Sequence, residues 1–235
     1  MKKSFIAMIT ALVFGFVGAV ALCVRALNGT QAVSAFDEVS MRIVVDAGHG
    51  GIDGGVTGRT TGLKESDVNL AVAFALSDVL EEMGFEVVMT RKTEGGLYDT
   101  TAKGFKKRDM QKRKEIILDA NPTMVISVHQ NYYPSQSQRG AQVFYDGENE
   151  KSKLLAGHIQ SQMNDLYKKQ GVKNRVAAQG DFFMLRCAPC ASVIVECGFL
   201  SNAKDEGLLS QKGWREKTAR SIASGVMAYL AGTTA

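Results

Sequence analysis

No Gly-Lys-Ser/Thr loop and no Gly-x-Gly-x-x-Gly fingerprint occurs in this sequence, which argues against reading its glycine-rich stretch as a phosphate cradle. No His-Glu-x-x-His pair is present either, so a metal held by two residues on one helix is excluded. Net charge is only +4, and no block of Lys and Arg is interleaved with aromatics, as a nucleic-acid surface would require. The densest basic run, Lys106-Lys107-Arg108 with Lys112-Arg113-Lys114, falls on a helical pattern and reads as its solvated face. Contact with an anionic wall polymer is the lesser reading of that run. Internal repeats and low-complexity segments are absent, as is anything resembling a second domain.

Cysteine is scarce, with four in the chain. Cys187-Ala188-Pro189-Cys190 has the spacing of a redox or zinc motif, but there is no second such pair and the flanks are not thioredoxin-like. Cys187, Cys190 and Cys197 therefore read as buried thiols or one local disulfide. A single long apolar run stands out, from Phe5 to Val24, preceded by Lys2-Lys3 and followed by small residues. Residues 1–35 are expected to be an export signal, either cleaved after Ala35 or kept as an amino-terminal anchor long enough to span a bilayer. Lipid attachment at Cys23 is disfavoured because Leu22 precedes it. This segment is the expected contact with a membrane, and export would place the rest of the chain outside the cytoplasm. Residues 36–41 read as a linker and residues 42–231 as one catalytic domain.

What is present begins with Ile43-Val44-Val45, a short β-branched run that breaks into Asp46-Ala47-Gly48-His49-Gly50-Gly51-Ile52-Asp53-Gly54-Gly55. Ser66 to Met83 has the apolar spacing of a helix, with Ser66 as its cap, Glu65 just before it and Gly84 as its stop. Further strands are expected at 85–90, 124–128, 141–145 and 192–195, helices at 104–120, 151–169 and 214–230, and extended chain at 182–186. Short strands alternating with long helices predict an α/β fold: one domain, a mostly parallel twisted sheet with helices on both faces. In such sheets sites form at the carboxyl ends of strands. His49, His129 and Glu196 all fall there, and Glu65 lies within reach of the same rim.

A hydrolytic metal needs three nitrogen or oxygen ligands and an open position, and a further group off the metal to move protons. Two histidines and two glutamates meet that count, although spacing alone leaves open which glutamate ligates. His158 lies inside a helix and is read as structural. Asp46 is expected to order the glycine loop or His49. Asn131 and Arg186, next to strand ends, are candidates to hold substrate carbonyl or carboxylate groups, with local loop structure the alternative.

Val45-Asp46-Ala47-Gly48-His49-Gly50-Gly51, Lys64-Glu65, Ser127-Val128-His129-Gln130-Asn131 and Val195-Glu196-Cys197-Gly198-Phe199-Leu200-Ser201-Asn202 occur in the order and spacing of a known family. By these four motifs the chain resembles the zinc-dependent N-acetylmuramoyl-L-alanine amidases, the Amidase_3 family, over residues 42–230. The resemblance implies one Zn2+ on His49, Glu65 and His129, with Glu196 as the catalytic carboxylate. It also implies cleavage of the amide between muramic acid and the L-Ala of the stem peptide in peptidoglycan. The chain is similar in particular to the germination-type members of spore-forming bacteria, which act on spore cortex as a step toward muramic-δ-lactam. No occluding insertion lies between Asn131 and Lys151, so an exported accessory protein is the expected source of control. The alternatives are a zinc carboxypeptidase or aminopeptidase on wall peptides, or a catalytically silent wall-binding protein.

Overall fold

The structure is a computed structural model and describes residues 41–233. The expected export segment and nearly all of the linker lie outside the described residues. Six strands form one sheet: β1 (Arg42–Ala47), β2 (Glu86–Met89), β3 (Met124–Asn131), β4 (Gln142–Tyr145), β5 (Ala178–Gln179) and β6 (Ala191–Phe199). Five helices accompany them: α1 (Glu65–Glu82), α2 (Phe105–Ala120), α3 (Glu150–Lys168), α4 (Ala203–Leu209) and α5 (Lys212–Thr233). The strand order is β2-β1-β3-β6-β4-β5. The first four in that order run parallel, and β4 turns antiparallel against β6. The expected mostly parallel α/β sheet is therefore the observed one. Among the described residues no helix is long and apolar enough to cross a membrane.

Because successive strand residues point to opposite faces, each strand divides its side chains in two. Ile43, Val45, Met124, Ile126, Val128, Val193 and Val195 point to one face, where they pack with residues of α1, α3 and α5 in the main core. Val44, Val125 and Ile194 point to the other, against Ile117 of α2 and Met184 and Leu185. Continuing the same alternation toward the carboxyl ends puts Asp46, Ser127, His129 and Glu196 on this second face. The registers Asp46↔Ser127 and His129↔Glu196 bring them side by side.

Local differences from the sequence reading have physical causes. Glu65 is the first residue of α1, with Lys64 in the cap position rather than Ser66. An acidic side chain in the first turn suits the positive end of the helix, so no side-chain cap is needed. The segment Phe183–Arg186 is a 3-10 turn rather than extended chain. Its short apolar run fits either form, and turning lets Met184 and Leu185 both enter the second core. Helix α4 was not foreseen; its signal was Asn202, whose side chain accepts from the Lys204 and Asp205 amides. All three cysteines after residue 40 are free thiols, Cys187 and Cys197 buried and Cys190 half-buried, so the expected local disulfide is not formed.

The basic run on α2 also needs correction. Arg113 is among the largest fully buried side chains, not part of a solvated face. It shares a stripe with Asp109, Ile117 and Ala120, the buried residues of that helix. An Asp and an Arg four apart on the apolar stripe were the missed signal.

Candidate active site

The glycine loop after β1 is shaped by what it must admit. Gly48 continues the sheet ladder, its amide donating to Val128 O at 3.1 Å, and any Cβ there would collide with the His129 ring. At Gly55, φ is +67° and a Cβ would collide with the Glu65 carboxylate. Between them His49 sits in the left-handed region at φ 61°, uncommon for a residue with a side chain.

Three side chains from three elements converge there. Glu65 Oε1 lies 3.3 Å from His49 Nε2 and 3.0 Å from His129 Nδ1. One ligand atom from each of the three falls within 4.8 Å of the others, a group able to hold a metal ion. Two nitrogens and an oxygen are a donor set suited to zinc with an open position. The other Glu65 oxygen, Oε2, accepts from the Val56 amide at 2.9 Å, which fixes the carboxylate plane. On the far side of His49, Nδ1 meets Asp53 at 3.0 Å, and Asp53 in turn meets Lys106 of α2 at 3.1 Å. A carboxylate on the outer nitrogen of a ligating imidazole sets its tautomer and orientation. Asp53 escaped the sequence reading, though it was the only carboxylate within the glycine run after His49.

The electrostatics favour a cation at this point. Burial would lower the His49 pKa, but Glu65 and then Asp53 outweigh it and raise it to about 8. Burial would likewise raise Glu65, yet the His129 and His49 rings hold it well below the usual carboxylate range. Glu196 behaves in the opposite way. Burial first, with the charge of Glu65 adding and the imidazoles opposing, pushes its carboxyl up to about 7. Its Oε2 is buried and has no hydrogen-bond partner among the described residues. A carboxylate poised near neutrality and free of partners is suited to taking and returning a proton.

Beneath the loop lies a network of buried charge. Asp46 accepts from the Thr90 hydroxyl at 2.6 Å and from Ser127, and pairs with Arg113 at 2.6 Å. Arg113 also donates to Ala47 O at 2.7 Å and to His49 O at 2.6 Å. A second buried arginine, Arg91, donates to Ala47 O at 2.9 Å and to both Gly48 O (3.0 Å) and Ser66 O (2.8 Å). Two guanidiniums thus hold the carbonyls of residues 47, 48 and 49. Asp46 orders the loop through Arg113 and is not one of the three donors. Nothing in the local sequence of Arg91 marks it for this role.

Beside His49 and His129 opens a cavity of about 250 Å³, walled by Phe105 and Met110 of α2 and by Phe182, Phe183 and Met184. Asn131 and Arg186 are not among its lining residues. Asn131 uses its side-chain oxygen on the Tyr132 amide at 2.8 Å, and Arg186 pairs with Asp181 at the surface. His158 stays on α3 beside Tyr229, away from the site.

Fold and site together define a class: hydrolases built on an α/β sheet with a His-Glu-His group able to hold a metal ion, rather than nucleotide-binding or redox α/β domains. Within that class the chain belongs to the N-acetylmuramoyl-L-alanine amidase family, whose sequence profile matches residues 43–228. It is 33% identical over 191 residues to the germination-specific N-acetylmuramoyl-L-alanine amidase of Bacillus subtilis, covering 80% of this chain and 79% of that one. Its fold is similar to the CwlD amidase of Clostridioides difficile, solved in complex with the GerS lipoprotein, at TM-score 0.78 and 34% identity. That match covers 82% of this chain and 99% of the other. The catalytic domain of CwlV from Bacillus (Paenibacillus) polymyxa matches at TM-score 0.70 and 27% identity, over 81% of this chain and 98% of that one.

Proposed function

We propose that this chain is a zinc-dependent amidase that hydrolyses the bond between the lactyl carbonyl of muramic acid and the L-Ala nitrogen of the stem peptide. His49, Glu65 and His129 hold the metal, and Glu196 is the catalytic carboxylate. The observation that carries this reading is the meeting of the three donors with Glu196, which pairs with His129 across the sheet and whose buried Oε2 has no partner. A zinc ion held there would supply Lewis acidity toward the amide carbonyl and toward water. Asp53 fixes the His49 ring, and Arg113 fixes the backbone that carries it. Glu196 takes a proton from the attacking water and returns it to the departing alanine nitrogen, which leaves as an amine. Burial of the Glu196 carboxyl, with the charge of Glu65 adding to it, keeps its proton affinity near neutrality.

The finer assignment is spore cortex, with the product a step toward muramic-δ-lactam, and it is supported by similarity to a germination-specific amidase. The same likeness, with that of a CwlD solved in complex with a lipoprotein, supports an exported accessory protein as partner. The amino-terminal apolar run supports action on the outer side of a membrane.

The test is digestion of purified peptidoglycan by the full chain, stripped of metal and then reloaded with zinc, with products identified by mass spectrometry. Zinc-dependent appearance of peptides with a free L-Ala amino terminus, beside peptide-free muramic acid, is the expected result. Cleavage between amino acids of the stem would make it a peptidase instead.

A further inference from the structure

One side chain touches all three segments that carry the donors. Asn69 lies on α1 one turn beyond Glu65 and is fully buried. Its Nδ2 donates to Gly48 O at 3.1 Å and to Glu65 Oε1 at 3.4 Å. Its Oδ1 accepts from Gln130 Nε2 at 3.2 Å. Gly48 precedes His49, and Gln130 follows His129. The β1 loop, the start of α1 and the end of β3 are thus joined through a single amide.

The chemistry of that position is narrow. Two acceptors on one side and a donor on the other demand an NH2 and an oxygen on the same short side chain, which asparagine supplies. Aspartate would turn two attractions into repulsions, and serine reaches too few of the partners. Gln130 contributes twice, since its backbone amide also donates to Glu65 Oε1 at 3.2 Å. Other polar residues brace the site pairwise: Arg91 ties Gly48 to Ser66, and Arg113 holds Ala47 and His49. Each of these leaves the β3 segment untouched.

We infer that Asn69 is a positioning residue that sets the mutual placement of His49, Glu65 and His129 and thereby the affinity and geometry of the metal site. This rests on the reading of those three residues as metal ligands. Partners of this kind, one shell removed from the metal, typically change affinity about 10- to 100-fold when lost.

The test uses the full chain stripped of metal, with wild type, Asn69→Ala, Gln130→Met and Ile159→Ala measured side by side. Ile159 is a fully buried aliphatic residue on α3, so its truncation is at least as disruptive to folding without touching the site. Zinc affinity is read by competition with a chromophoric chelator, and ligand geometry by the visible spectrum of the cobalt(II)-loaded protein. The expected result is about 10- to 100-fold weaker zinc binding and a shifted cobalt spectrum for Asn69→Ala. Gln130→Met should move both in the same direction by less, and Ile159→Ala should leave both at the wild-type values. Wild-type affinity and spectrum in Asn69→Ala would overturn the inference, and so would an equal loss in Ile159→Ala. If Asn69→Ala does not fold, Gln130→Met decides in the same way. Failure of the wild type to take up either metal would instead overturn the ligand assignment, and this inference with it.

Discussion

The two faces of the sheet are built on opposite terms. Toward α1, α3 and α5 the strands present mostly apolar side chains, with Gln130 as a polar exception that reaches Asn69 of α1. Toward α2 and the 3-10 turn the same strands begin with Val44, Val125 and Ile194 and end with Asp46, His129 and Glu196. One strand therefore contributes to stability through its even positions and to chemistry through its odd ones, or the reverse. The apolar face tolerates the buried charge of the other because its burial is independent of it. Hydrophobic burial is non-directional, whereas each polar group on the site face needs a particular partner.

That contrast is sharpest if one variant on each face fails in a different way. Glu196→Gln keeps shape and removes the proton acceptor, so turnover should fall about 10³-fold while thermal stability and zinc content stay at wild-type levels. Steady-state rates on peptidoglycan with parallel melting curves check this. Loss of zinc along with turnover would mean Glu196 ligates and the division between ligand and base is wrong. On the other face, Ile159→Ala should cost about 3 kcal/mol of stability while leaving kcat unchanged below the melting transition. A urea titration beside a rate measurement checks it, and a fall in kcat would show that the two faces are not independent.

The site face should also be the acid-sensitive one. Burial would raise the Asp46 pKa, but Arg113, then the Ser127 and Thr90 hydroxyls, hold it at about 2 against an ordinary 3.8. A depressed folded-state pKa gives stability that is complete above the unfolded value and is lost as pH falls through the folded one. The contribution is thus present above about pH 4 and disappears toward pH 2, amounting to about 2 kcal/mol. Asp46→Asn lacks it. The stability gap between wild type and that variant, taken from urea titrations of metal-free protein, should shrink by that amount between pH 5 and pH 2. A gap constant with pH would mean the Asp46 and Arg113 charges do not stabilise the loop.

How much of this was legible in the sequence follows the same division. The apolar face was readable because its information is local and periodic: β-branched strands and the stripe on residues 66–83 announce themselves. Three of the four candidate site residues were readable because they lie toward a strand end or in the glycine run, and Glu65 because it abuts a helical stripe. What supports them was not. Arg113 looked like one more base among Lys112 and Lys114, because its burial depends on Asp46, 67 residues away in the chain. Asn69 was one polar residue on an apolar helix, and its three partners come from segments that meet only in the fold. Long-range polar satisfaction leaves no periodic trace.

The rim of the site face gives the smallest expected effect and the finest discrimination. Arg186 follows three residues that wall the cavity, and by sequence it was a candidate to hold substrate. In the fold its guanidinium engages Asp181 and stands at the surface, while Phe182, Phe183 and Met184 line the cavity. Arg186→Ala should therefore leave KM and kcat on peptidoglycan within about twofold of wild type, the range of an exposed substitution away from any special feature. Phe183→Ala, which opens the wall itself, should raise KM more than that. The reverse order would mean that substrate binding draws Arg186 off Asp181, and that the cavity wall is not where recognition is made.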